Sequence, residues 1–187
     1  ALQYRRQLIR EVHHFWGLDT PPAVFFGQIH QESRWRTDAR SAHAAGLSQF
    51  TPGTAADMQR LYAADLRELC AERGGCPLSA GWAMRSLVLY DRQLWRGKTC
   101  DTFAPVEERW ACVLASYNGG EGWIRREKAI CHKTDACEPS RYFGQVELRC
   151  GQSQPARSQA SCRENQGYPG VILHRWRPLY VRFSEGG

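Results

Sequence analysis

No run of eighteen apolar residues occurs in the chain, which excludes a simple membrane-spanning helix. A basic start followed by an apolar run is also missing, so no secretory leader is visible. The chain begins at Ala1 without Met, as a processed chain does, and an export or anchor segment outside it is compatible with that start. No two cysteines are spaced Cys-x-x-Cys, which removes the short ligand loops of zinc ribbons and thioredoxin-like redox sites. The scattered arginines (Arg5, Arg6, Arg10, Arg34, Arg36, Arg40, Arg125, Arg126) lack the interleaved aromatics of a nucleic-acid stacking platform. No nucleic-acid partner is therefore expected.

What is present is a chain of 187 residues, 42% hydrophobic, enough for one good core and an elaboration of it. A net charge of +6 and a pI near 9.0 suit an acidic envelope surface or an anionic wall polymer, or else a solvated basic surface. Eight cysteines stand at 70, 76, 100, 112, 131, 137, 150 and 162. An even number without metal-ligand spacing reads as structural disulfides in an oxidising compartment, with buried free thiols as the alternative. Of the many connectivities open to them, neighbour pairing is the simplest hypothesis: Cys70–Cys76, Cys100–Cys112, Cys131–Cys137 and Cys150–Cys162 each close a short polar or Gly/Pro loop.

Apolar residues at 4, 8, 9, 12 and 15 predict a first helix that Gly17 ends. His13 and His14 are adjacent, point in different directions on a helix and have no third ligand nearby, so packing or surface roles are expected and no metal site. Asp19-Thr20 before Pro21-Pro22 predicts the start of a second helix, largely buried, with Glu32 on its last turn. Desolvation and the negative helix end disfavour ionisation there, the condition a general acid needs. Small residues from Ala42 to Gly46 invite close approach by another backbone or a ligand, and residues 46–52 read as a turn into a third helix carrying the Gln49 amide.

That third helix has Leu61, Tyr62, Leu66 and Leu69 as its apolar side and stops at the loop from Cys70 to Cys76, where Gly74-Gly75 and Pro77 are breakers. Residues 80–95 form an apolar helix through the core, and Pro105 opens the next, with Glu107 and Glu108 as helix-start carboxylates. It ends at Ala115-Ser116-Tyr117-Asn118-Gly119-Gly120. From Trp123 to Arg163 the chain is basic, polar and cysteine-bearing, and reads as a stapled insertion with a flexible loop over residues 151–161. Residues 171–183 close the domain as a final helix that Pro178 kinks or interrupts.

Glu32-Ser33, then Ser41 after a seven-residue gap, then Gly46-Leu47-x-Gln49-x-x-Pro52, then the Ala115–Gly120 segment resemble, in order, the first three motifs of the soluble lytic transglycosylase family, which cleaves peptidoglycan glycan strands. The resemblance covers about residues 21–124 and a tail near 164–173. Gly119 stands where the family has Ala, Ser48 where Met is common, and the gap from Glu32 to Gln49 is one residue short. Two places compete for the fourth motif, Glu138 to Phe143 and Glu164 to Leu173. The second keeps the spacing to the Ile172-Leu173 pair, so Tyr168 is preferred to Tyr142.

The resemblance implies a mainly α, lysozyme-like helical domain over 1–187: a motif core at 21–124, a disulfide-stapled, loop-rich insertion at about 125–163, and a closing segment at 164–187. It implies Glu32 as acid and then base, with Ser33, Ser41, Gln49, Tyr117 and Asn118 along a sugar cleft and Tyr168 orienting Glu32. Ser33 and Ser41 could equally cap turns, and Asn118 could satisfy helix-end carbonyls. The expected partner is the glycan strand, with no cofactor and no metal, in a monomeric periplasmic or secreted protein, with association to the envelope left open. Two rival readings remain, the first from a family of similar fold and the second from the basic surface and seven tryptophans. One is a goose-type lysozyme using Asp38, Asp57 or Asp101 to activate water. The other is a non-catalytic wall-binding module.

Overall fold

The computed structural model describes residues 1–70 and 76–185; Gly74-Gly75, expected to break the chain, lie outside the described residues. The fold is mainly α, and β pairing among the described residues is limited to the isolated bridges Arg40–Ala45 and Ala45–Phe50. By its contacts the chain divides into two compact units. The first comprises residues 1–90 and 174–187, the second residues 91–173.

In the first unit, α1 (Arg5–Trp16) buries Leu8 and Val12 and also Glu11. Glu11 is tolerated on that face because Arg85 grips both its oxygens, Nε to Oε2 at 2.7 Å and Nη2 to Oε1 at 2.9 Å. α2 (Ala23–Ser33) has Pro22 as its N-cap and buries every residue from Ala23 to Ile29. Gly27, an entropic cost within a helix, is there for space: a Cβ would lie 3.1 Å from Arg177 N and 3.2 Å from Trp176 Cβ, where the C-terminal α9 (Arg177–Glu185) crosses.

α3 (Pro52–Leu61) starts on Thr51, whose Oγ1 accepts from Thr54 N at 3.2 Å, with Pro52 at the first helical position. The apolar side expected to run on to Leu69 does not stay on one helix. The chain breaks at Tyr62 (φ −120°, ψ 39°), restarts as α4 (Ala63–Leu66) and tightens into a 3₁₀ turn over Arg67–Cys70. Met58 and Leu66 are buried, whereas Leu61 is exposed. Cys70 is bonded to Cys76. α5 (Ala80–Arg96) carries Trp82, Leu87, Leu89 and Leu94 into the core, and the division between units falls within it, after Tyr90.

The second unit is built on α6 (Val106–Gly119), buried from Trp110 to Ser116 and tied to the preceding loop by Cys100–Cys112. Glu107 and Glu108 stand in its first turn as the sequence suggests. Glu108 is buried and does more: its Oε2 accepts from Tyr142 N (2.8 Å) and Phe143 N (3.0 Å), fixing the later loop. Where the sequence reads as the start of a stapled insertion, without a helix of its own, the chain forms α7 (Glu121–Cys131). Its buried residues, Ile124, Glu127 and Cys131, recur at helical spacing, but a glutamate in the stripe and the flanking basic run mask the pattern.

Cys131–Cys137 and Cys150–Cys162 complete the pairs, so the four cystines link sequence neighbours and no described cysteine is free. α8 (Gln159–Gly170) begins inside the segment expected to be a loop, capped by Ser158 Oγ on Ser161 N at 3.1 Å. The final helix expected over 171–183 is interrupted as Pro178 requires: a π-helical turn over Val171–Trp176 runs directly into α9, whose second residue is Pro178.

Candidate active site

Glu32 is the penultimate residue of α2, half-buried, between exposed Gln31 and buried Ser33. The chain leaves the helix through two successive non-glycine residues in the left-handed region, Arg34 (φ 51°) and Trp35 (φ 67°). Each costs of order 1–3 kcal/mol, so the surroundings must impose the turn.

They do so through Trp35. Its ring packs on Phe26 (5.4 Å between centroids) and Tyr180 (6.1 Å), and its Nε1–H donates to Tyr180 Oη at 2.9 Å. An indole N–H can only donate, so Tyr180 Oη accepts from Trp35, and the same oxygen shares a hydrogen bond with His30 Nδ1 at 2.8 Å. His30 is half-buried at this junction. Its pKa is lowered by burial first and then by Arg34, Arg175 and the N-terminal amine. The His30 ring stacks on Trp176 at 4.1 Å, and Trp176 Nε1 donates to Gln31 Oε1 at 2.8 Å. Both residues before Glu32 in the chain are thus held by the C-terminal segment.

Ser33 Oγ donates back to Ile29 O within α2, at 3.2 Å. Ser41 organises a turn: its Oγ accepts from Ala44 N at 3.0 Å and His43 N at 3.3 Å. Gln49, at φ 46°, donates Nε2 to Ala39 O (3.2 Å) and Gly46 O (2.9 Å). Both amide hydrogens are committed, leaving Oε1 as the group it can offer a ligand, an acceptor for hydroxyl or amide donors. Gly46 is obligatory: at φ 79° a Cβ would lie 1.6 Å from Pro77 O, the close approach that the small-residue stretch suggests. Ser48, where the family has Met, is buried and donates to Ala83 O at 2.6 Å. Residues 40–45, with Phe50, Thr51 and Pro77, line an open groove of about 750 Å³ whose walls are largely apolar.

In the second unit, Tyr117 and Asn118 lie at the end of α6 and Tyr168 on α8, and these two helices pack together. Asn165 links them. Its Nδ2 donates to Ala115 O (2.8 Å) and to Asn118 Oδ1 (3.1 Å), while Asn118 Nδ2 reaches Glu164 Oε1 at 3.4 Å. Gly119 stands where the family has Ala because a Cβ there would come 2.5 Å from Asn165 Nδ2 and 2.7 Å from Arg157 Nη2. Tyr168 is buried, as is Tyr142, whose Oη donates to Asn165 O at 3.5 Å and whose pKa is raised well above the usual value, chiefly by burial.

Sequence reasoning missed a buried polar cluster in this unit. Glu127 is 1% exposed, and burial pushes it up to about 7 against the opposing pull of Arg157. Arg157 Nη1 lies 3.6 Å from Glu127 Oε1 and donates to Asn165 Oδ1 at 3.2 Å. The only signal was an acid at an apolar helical position of α7.

Among the described residues no group of three His, Cys, Asp or Glu side chains is placed to hold a metal ion, and no helix is long and apolar enough to cross a membrane. The chain matches no protein-family model and no curated protein.

Proposed function

We propose that the protein is a peptidoglycan lytic transglycosylase. The observation that carries this reading is Glu32: one carboxylate on the last turn of a buried helix, ahead of an imposed left-handed turn, in a sequence whose further segments follow the family's order. In this reading Glu32 protonates the glycosidic oxygen between N-acetylmuramic acid and N-acetylglucosamine. The substrate's N-acetyl oxygen stabilises the developing cation, the muramyl 6-hydroxyl attacks, and Glu32 takes its proton back. The product carries a 1,6-anhydro end.

Ser33 and Ser41 shape the backbone around the acid and the groove. Gln49 offers an acceptor, Tyr117 and Asn118 contact sugar, and Tyr168 takes the role of the family's fourth-motif tyrosine. The protein acts as a periplasmic or secreted monomer on anionic wall, consistent with four cystines and a net charge of +6. The carboxylates a lysozyme reading needs find less support. Asp38 and Asp101 are exposed, and Asp57 is exposed and paired with Arg60 at 3.0 Å.

Digestion of purified peptidoglycan followed by mass spectrometry tests the reading. Anhydromuropeptides are expected from the wild type. Glu32→Gln should fold and bind wall but lose roughly 10²–10⁴-fold or more in rate. Reducing muramic ends would point to hydrolysis, and unchanged activity in a folded Glu32→Gln would remove the assignment.

A further inference from the structure

A second concavity, of about 410 Å³, lies wholly within the second unit and is polar where the groove beside Ser41 is apolar. Its walls include Arg157, Ser158, Ser161, Trp123, Asn118 and Glu164. None of the family-like motifs accounts for Arg157, Ser158 or Trp123.

The Arg157 side chain is 8% exposed. It spends Nη1 on Glu127 and Asn165, while Nη2 is directed at Gly119, another wall of the same pocket. Its counter-charge is a poor match. Glu127 stands 3.6 Å away, and neither of its oxygens is hydrogen-bonded. The guanidinium therefore retains both an unspent edge and part of its charge toward the pocket. Beside it the N-terminus of α8 opens, with Ser158 as cap and Ser161 in the first turn; first-turn N–H groups have no intrahelical acceptor. Trp123 walls the pocket, with Arg126 held 4.9 Å over its ring.

The Arg157 guanidinium edge and the amide end of α8 thus face a space of small-ligand size, with the Glu164 carboxylate at its rim. We infer that the pocket binds a carboxylate and, resting on the proposed function, that this is a carboxylate of the peptide stem borne by the glycan strand. A guanidinium edge beside helix amides fits a planar two-oxygen acceptor. A phosphate dianion is disfavoured because Glu164 lies on the rim and Glu127 lies behind Arg157. The site would recognise wall that still carries its peptides and pass over stripped glycan.

The test is an amide NMR titration of the whole chain with the tripeptide L-Ala-γ-D-Glu-meso-diaminopimelate. Controls are the same peptide with its carboxylates amidated, N-acetylmuramic acid without peptide, and inorganic phosphate. Saturable shifts at residues 158–161 are expected with the tripeptide and should be lost on amidation. Removing Arg157 would strand Glu127, so the informative variant is Ser161→Glu. It creates a Ser-x-x-Glu capping box with Ser158 that protects the fold and places a carboxylate in the pocket. Its melting temperature should hold while tripeptide binding weakens by about tenfold or more. The inference fails if the tripeptide does not shift these amides, if the amidated peptide or phosphate binds as well, if N-acetylmuramic acid alone matches the tripeptide, or if Ser161→Glu binds unchanged. Tripeptide binding in a protein that yields no anhydro ends would overturn the catalytic reading and leave the pocket standing.

Discussion

Tyr142 and Tyr168 differ in what they stand to lose. Tyr142 has no exposed surface and gives its hydroxyl a single long bond, to Asn165 O at 3.5 Å. Tyr142→Phe should therefore cost about 0.5–1.5 kcal/mol of stability, read by denaturant melts, and leave the activity of the folded protein intact. Tyr168→Phe should instead lower the rate of the folded protein, by less than Glu32→Gln does. The reverse order would show that the fourth motif lies at Glu138 to Phe143.

Gly119→Ala offers a separate check, since even a methyl group is too large here. Its Cβ would press on Asn165 Nδ2 and Arg157 Nη2, costing about 1–3 kcal/mol in melting and loosening Asn118. Single residues were unevenly legible. That Glu32 stands on the last turn of a buried helix could be read from Pro21-Pro22 and the apolar run after them. That Gln49 spends both amide hydrogens on backbone, and that Gly119 makes room for Asn165, depend on partners many positions away.

Between elements, the contact that bears most on Glu32 is that of α2 with α9. Tyr180→Phe removes both the acceptor for Trp35 Nε1 and the hydrogen-bond partner of His30 Nδ1. The left-handed turn at Arg34 and Trp35 then loses its anchor. A stability loss of about 1–3 kcal/mol is expected by chemical denaturation, with a fall in rate although Tyr180 touches no substrate. Unchanged rate at reduced stability would reduce Tyr180 to a packing residue.

Helix starts were the most legible elements, because Pro and Thr write them locally: Pro22 before α2, Thr51-Pro52 at α3 and Pro105 before α6. α7 was not legible, since Glu127 occupies an apolar position and only Arg157, thirty residues on, makes that tolerable. The break at Tyr62 was hidden for the opposite reason: Leu61 and Tyr62 continue the apolar count while the backbone turns away.

Over the whole molecule, the two units should answer acid in opposite ways. Glu127 is raised from 4.5 to about 7 and Glu147 is also raised, both chiefly by burial. The folded second unit holds protons that its unfolded chain has released. That contribution is complete below pH 4.5 and is lost as pH rises toward 7. Around Glu127 the facing charged or titratable groups are Arg157 and Tyr142.

In the first unit His30 and the Ala1 amine are lowered by burial, so the unfolded chain binds the extra protons. His30 faces Tyr180, Arg34 and Arg175, and its contribution is complete above pH 6.5 and fades as pH falls. Hydrogen exchange between pH 7.5 and 5, corrected for intrinsic rates, should show slower opening in residues 91–173 and faster opening in residues 1–90. Glu127→Gln should flatten the first trend and leave the second.

Three of the four cystines, Cys100–Cys112, Cys131–Cys137 and Cys150–Cys162, fall in the second unit, which also bears Tyr117, Asn118 and Tyr168. Closing a loop of such length contributes about 2–3 kcal/mol on the chain-entropy account, a large share of one small unit's stability. In a reducing compartment the second unit would lose these closures, and with them much of the firmness that holds Tyr117, Asn118 and Tyr168 in place. On the proposed reading, a wall-cutting enzyme would remain harmless to the cell that makes it until oxidation outside completes it.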